Sequence, residues 1–202
     1  MEQKEVYIAV WNMRIIAGRF KGHRLPLHRS NRVRPTMDRV REAVFSSMGF
    51  AVQGARVLEL FAGTGAFGFE ALSRGADFVL FVDRDRAVTQ MLARTAKILG
   101  VTDQVTILAC TAAQAVKKLI EENTKFNLVF LDPPYERNEV SRLFAATDAQ
   151  DLVADDGLLI VEQRVCSPEP IVSPGLEKQF ERRYGGTSIS MYRKLATTVG
   201  RL

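Results

Sequence analysis

Asp132-Pro133-Pro134-Tyr135 is the stretch of this sequence most suited to chemistry. It ends an apolar run, residues 126–131, of the length of a strand covered on both faces. Pro133 holds Asp132 extended, and Pro134 does the same to Pro133. Neither proline has an N–H, so no local donor competes for the Asp132 carboxylate or the Pro133 carbonyl. Two acceptors at the carboxyl end of a strand, with the Tyr135 ring beside them, suit a flat group bearing an amino nitrogen, such as a nucleobase. The plain alternative is a strand followed by a proline-rich turn.

Three more strands finish on an acid: Glu59, Asp83 and Glu162. In an open α/β sheet the ligand sits off the carboxyl ends of the strands. The first strand–helix turn, Glu59-Leu-Phe-Ala-Gly63-Thr-Gly65-Ala-Phe-Gly68, contains G-x-G-x-x-G, and Asp83 follows Gly63 at the dinucleotide spacing. A nicotinamide cofactor is therefore a real competitor. Two features oppose it: Glu59 would sit close to a pyrophosphate, and Asp-Pro-Pro-Tyr has no role in hydride transfer. S-adenosylmethionine fits better, having no phosphate but a sulfonium, an ammonium group and ribose hydroxyls. The candidate cofactor residues are Glu59, Phe61, Gly63, Thr64 and Gly65 in the turn, Asp83 and Arg84 after the second strand, Thr111 after the third, and Asp132. Asp83 can accept both ribose hydroxyls, Glu59 can help hold the methionine end, and Thr111 stands where adenine would be read. The alternatives are a helix-capping role for Asp83 and a surface charge for Glu59.

The elements that must position these groups follow from periodicity. Residues 13–17 and 24–27 read as a hairpin, with Gly18 and Gly22 flanking its turn. A helix follows Pro35, with Thr36 as a plausible N-cap, a buried stripe of Met37, Val40, Val44, Phe45 and Met48, and Gly49 at its end. From residue 55 strands and helices alternate: strands at 56–61, 78–82, 105–109, 126–131 and 158–162, helices at 66–74, 85–99, 112–122 and 139–150. Such alternation implies a doubly wound, mostly parallel α/β sheet. Residues 179–184 and 188–193, around Gly185-Gly186, read as an antiparallel hairpin at its edge. Residues 1–52 form an N-terminal extension and 53–202 the main domain.

The net charge of +5 is concentrated in the extension: residues 13–41 hold nine Arg or Lys against one acid, Asp38. This asymmetry points to a nucleic-acid partner. The candidate contacts are Arg14, Arg19, Lys21, Arg24, Arg32, Arg34, Arg39 and Arg41, with His23 and His28 as phosphate-facing rather than catalytic residues. A solvated basic segment is the bland alternative. No apolar run approaches the length of a membrane span. Cys110 and Cys166 lack metal-site spacing and read as free thiols of a reducing cytoplasm. No metal is expected.

The region 57–135 resembles class I S-adenosylmethionine-dependent methyltransferases, and Asp-Pro-Pro-Tyr resembles the signature of amino-nitrogen methylases. Arg14-Ile-Ile-Ala-Gly-Arg-Phe-Lys-Gly, Arg34-Pro-Thr and Asp38-Arg-Val-Arg-Glu-Ala-Val-Phe together resemble the RsmD family of bacterial 16S rRNA guanine-N2 methyltransferases. The resemblance implies a Rossmann-like fold, S-adenosylmethionine as cofactor, and one guanine of 16S rRNA as target, presented on a partly assembled small subunit. It departs at Thr111, where related enzymes often carry an acid or Asn. Methylation of adenine or cytosine in DNA or RNA, and a non-catalytic RNA-binding assembly factor, remain the competing readings.

Overall fold

Strand β3, Arg56–Leu60, sits at the middle of the sheet because both its faces are apolar: Val57, Leu58 and Leu60 are buried. The computed structural model of the chain describes residues 13–26, 36–133, 143, 149–167 and 175–196. Before β3 come β1, Met13–Arg14, β2, Arg24–Leu25, and helix α1, Thr36–Met48. After it the chain alternates: α2, Ala66–Ser73, β4, Phe78–Asp83, α3, Arg86–Leu99, β5, Val105–Ala109, α4, Ala112–Glu121, and β6, Phe126–Leu131. Then follow β7, Val153–Arg164, β8, Leu176–Tyr184, and β9, Thr187–Lys194. The seven-stranded sheet has the order β5-β4-β3-β6-β7-β9-β8. Strands β3 to β7 run parallel, and β9 and β8 close the edge antiparallel. The doubly wound, mostly parallel sheet with a C-terminal hairpin is thus the architecture the alternation predicts.

The order reverses at β3: the chain moves outward to β4 and β5, then returns to β6 on the other side. Ligands of open α/β sheets bind at such a switch point. One face packs Val57, Phe81, Phe130 and Ile160 against α1, α2 and α3; the other packs Leu58, Val82, Val129 and Val161 against α4. On the first face the rings of Phe67 and Phe130 stack with centroids 4.6 Å apart, and Phe45 of α1 lies 6.0 Å from Phe130. This aromatic layer anchors the end of β6, which carries Asp132.

Helix stops follow local chemistry. Asp85 caps α3 by accepting from the Ala87 N–H at 2.8 Å, and Gly100 ends it in the left-handed conformation. The strand expected at 158–162 is longer, because β7 pairs with β6 on one side and β9 on the other. The hairpin strands β1 and β2 are shorter than expected, two residues each. Most of the helix expected at 139–150 lies outside the described residues. Its end is a 3-10 turn, Ala149–Leu152.

The N-terminal hairpin is docked on the domain rather than free of it. Glu70, fully buried on α2, accepts from the N–H groups of Ile16 at 2.7 Å and Ala17 at 3.0 Å. Ser73 closes the same seam: its carbonyl accepts from Arg19 N–H, its hydroxyl oxygen from Phe20 N–H, and its hydroxyl donates to the Ala17 carbonyl. Gly18 has φ +80°, and a Cβ there would lie 1.8 Å from the Ser73 carbonyl oxygen, so only glycine fits.

Candidate active site

Along each parallel strand, side chains alternate between faces. Glu59 pairs with Phe130 across the β3–β6 ladder, and Leu131 pairs with both Leu60 and Val161. Asp132 and Glu162 therefore follow matched positions on adjacent strands. Both project to the face that carries Glu59, Phe130 and the helices α1 and α2. Asp83, the last residue of β4, completes the row. The four acids, at or near the carboxyl ends of their strands, thus share one face at the switch point.

The turn between β3 and α2 decides what kind of cofactor fits. Phe61 has φ +59°, a costly conformation outside glycine, and Gly63 and Gly65 have φ +52° and +70°. A Cβ on Gly65 would lie 2.6 Å from Leu92, so the turn stays tight against α3. In a dinucleotide site, backbone N–H groups of this turn and of the helix N-terminus would face pyrophosphate. Here they already have carboxyl partners. Gly63 N–H donates to Asp83 Oδ2 at 3.0 Å. Phe67 and Gly68, in the first turn of α2, donate to the Glu59 carboxylate at 3.3 and 2.7 Å. Glu59 fills the site at the start of α2 with its own carboxyl. A phosphate-free ligand with hydroxyl and cationic groups fits this donor set, as S-adenosylmethionine does. Asp83, held by Gly63 and by Asp85 N–H at 2.9 Å, keeps lone pairs for hydroxyl donors.

Burial governs the charges of the row. Glu59 is buried, and loss of solvation pushes its carboxyl up to about 8; the Gly68 and Phe67 N–H groups, and Arg41, oppose the rise. Asp132 is pushed up to about 7, again by burial, although it keeps some surface. Glu162 rises well above the carboxylate range, through burial and the neighbouring Asp132. The cation facing them is Arg41 of α1. It donates to Asp38 Oδ1 at 3.0 Å and to the Arg14 carbonyl at 2.5 Å, and lies 3.8 Å from Glu70 Oε2.

Several sequence-predicted residues fall elsewhere. Arg41 is 2% exposed and belongs to this buried ion network, so it is removed from the RNA-facing set. The helical spacing that points it inward was readable, but its charge argued for the surface. Arg39 is exposed, as are Arg14, Arg19, Lys21 and Arg24. Arg14 lies 3.7 Å from Asp38, and Arg19 donates to Gln104 while stacking on Phe20. Thr111 caps α4: its hydroxyl oxygen accepts from Gln114 N–H, and its own N–H and O–H donate to Gln114 Oε1. This capping box engages the groups assigned to adenine. Thr64 is buried with its hydroxyl on Met13 sulfur at 3.2 Å, not in the crevice. Arg84 is exposed on the rim beside Asp83. Pro133 is buried next to Asp132. Pro134, Tyr135, Arg32 and Arg34 lie outside the described residues. Cys110 is half-buried after β5, and Cys166 is exposed; both are free thiols.

Glu70 was missed. Its signal was a lone acid inside an otherwise apolar helix, with Arg74 four residues on; the two are 2.6 Å apart.

Among the described residues, no helix is long and apolar enough to cross a membrane. The protein YlbH of Bacillus subtilis (strain 168) is 34% identical over 184 residues, 90% of this chain and 99% of that protein. The ribosomal RNA small subunit methyltransferase D of Escherichia coli (strain K12) is 33% identical over 184 residues, 91% of each chain. A solved Escherichia coli chain, yhhF, has the same fold, with a TM-score of 0.80 and 32% identity over 92% of this chain and 99% of that one. The family described as Conserved hypothetical protein 95 matches residues 13–193, and this chain, with its class I methyltransferase fold, belongs to it: the RsmD family that its motifs resemble.

Proposed function

We propose that this protein is an S-adenosylmethionine-dependent rRNA methyltransferase that modifies the exocyclic N2 of one guanine in 16S rRNA. Its substrate is the RNA of the small subunit, taken on a partly assembled particle. The observation that carries the cofactor reading is Glu59 on the N-terminus of α2, which excludes a polyphosphate from the switch point. The relative named ribosomal RNA small subunit methyltransferase D supports the substrate class.

When bound, the cofactor supplies an electrophilic methyl group on a sulfonium. The rest is the work of the chain. Asp83 takes the ribose hydroxyls, and the turn Phe61 to Gly65 lets backbone approach the methionine end, over the floor that Glu59 forms. The amino lone pair of guanine is delocalised into the ring, so its nitrogen attacks poorly. As it pyramidalises it gains positive charge, and acceptors at its N–H bonds stabilise that change. The Asp132 carboxylate and the Pro133 carbonyl are those acceptors, and Asp132 takes the departing proton or passes it to water. Pro134 fixes the turn, and Tyr135 stacks on the base once it leaves its own stack. Residues 1–52 act as the RNA-binding extension, with Arg14, Arg19, Lys21, Arg24, Arg32, Arg34 and Arg39 on phosphates; residues 53–202 are the methyltransferase domain. The site of action is the cytoplasm.

The test is transfer of labelled methyl to total RNA and to immature small subunits, followed by nucleoside analysis. N2-methylguanosine is the expected product. N6-methyladenosine or N4-methylcytidine as the sole product would replace guanine by another amino base. Tight NAD binding without adenosylhomocysteine binding would remove the cofactor.

A further inference from the structure

Glu162 has no part in the chemistry above, yet it stands beside Asp132. Asp132 follows Leu131 on β6, Glu162 follows Val161 on β7, and Leu131 and Val161 are paired. Matched positions on neighbouring strands lie roughly 5 Å apart. Glu162 is 6% exposed, and no described residue donates a hydrogen bond to its carboxyl. A mostly buried carboxyl with no protein donor is free to accept from a ligand that reaches it. The ionisable groups acting on it are Asp132, which follows β6, and Arg41 on α1, and Arg41 already serves Asp38 and lies 3.8 Å from Glu70.

We infer that Glu162 reads the ring edge of the target base, accepting the N1–H of guanine while Asp132 accepts from the adjoining 2-amino group. This rests on the guanine-N2 reading above. Two carboxyls beside one engaged cation hold a proton between them. With a proton held between them, the pair offers acceptor atoms to the ligand. Guanine alone among amino-bearing bases has an N–H on the ring nitrogen beside its amino group. Adenine and cytosine have a lone pair there, which faces an acceptor and is rejected. Sites built around a hydrogen bond to a substrate group discriminate strongly against analogues that lack it. Glu162 is thereby a specificity residue, distinct from the amino-group contact of Asp132.

The test uses small-subunit RNA with 2-aminopurine in place of the methylated guanine, at the position mapped for the wild-type enzyme. 2-Aminopurine keeps the 2-amino group and replaces N1–H by a lone pair. Wild-type protein should prefer guanine by about a hundredfold or more in kcat/KM. In Glu162→Gln, whose amide can donate to a lone pair, the preference should fall below about tenfold. Glu162→Asp, which keeps the carboxyl on a shorter stem, should lie between, and decides the matter if the glutamine variant does not fold. Adenosylhomocysteine affinity and melting temperature are measured alongside; a merely structural role would change both substrates alike. An unchanged guanine preference in either folded variant, or wild-type protein indifferent to 2-aminopurine, overturns the inference and leaves the guanine reading standing. A product other than N2-methylguanosine defeats the reading itself.

Discussion

In the proposed mechanism, Asp132 is the acceptor on which methyl transfer depends. Burial pushes its carboxyl up to about 7, so the ionised acceptor gains ground only as pH rises through that value. Single-turnover methyl transfer should climb roughly tenfold per pH unit below about 7 and level off above it. Asp132→Asn should slow transfer at least about a hundredfold, the scale set by losing one oriented charge-stabilising contact. Titration calorimetry should find adenosylhomocysteine affinity little altered in the same variant; a parallel loss of cofactor affinity would show Asp132 to be a binding residue. The position of Asp132 at the end of β6 was legible in the sequence because proline neighbours and a strand end are local signals. Arg41 and Thr111 misled for the opposite reason. A side chain's direction depends on what packs over it, and a cap depends on Gln114 reaching back. Neither is written in residue type.

Among the elements, the β3–α2 unit shows the same division. Its glycine spacing and its acid were plain in the sequence, and they located the crevice. That Glu59 would bend onto the helix start was not, since a carboxylate eight or nine residues upstream of two N–H groups reaches them only in the folded turn. The sheet itself was legible from alternating periodicity, although β7 runs beyond its expected ends, because ladder partners on both sides extend a strand. Glu59 has a consequence for stability. Its folded carboxyl lies near 8, against an ordinary value of 4.5. The folded protein therefore holds this proton more tightly than the unfolded chain. The resulting stability is fully present below about 4.5 and is lost as pH rises through 8. Thermal melts of cofactor-free protein should drop across that window, and Glu59→Gln, which stays neutral, should flatten the drop by on the order of 5 °C.

At the scale of the molecule, charge is divided between a basic extension and a nearly neutral body. Lys21→Glu and Arg24→Glu should each weaken RNA binding and lower the slope of log affinity against log salt by about 1 per lost phosphate contact. Filter binding across a salt series measures this, and an unaltered slope would take the hairpin off the RNA. Arg41→Met should behave differently. It leaves Asp38 and Glu70 without their cation and should cost about 3–5 kcal/mol of stability, read by denaturant unfolding, with the salt slope of the folded variant intact.

The seam between the hairpin and α2 reaches further than docking. Helix α2 begins at the cofactor turn and ends on Ser73, so one rigid rod joins the crevice to the basic hairpin. The amides of Ile16, Ala17, Arg19 and Phe20 are bonded to that rod, not to solvent. In deuterium they should exchange as slowly as the core of α2 rather than at the pace of a surface loop. If occupancy of the crevice steadies the rod, those four amides will slow in step with it, and the hairpin will register the filling of the pocket through the rod.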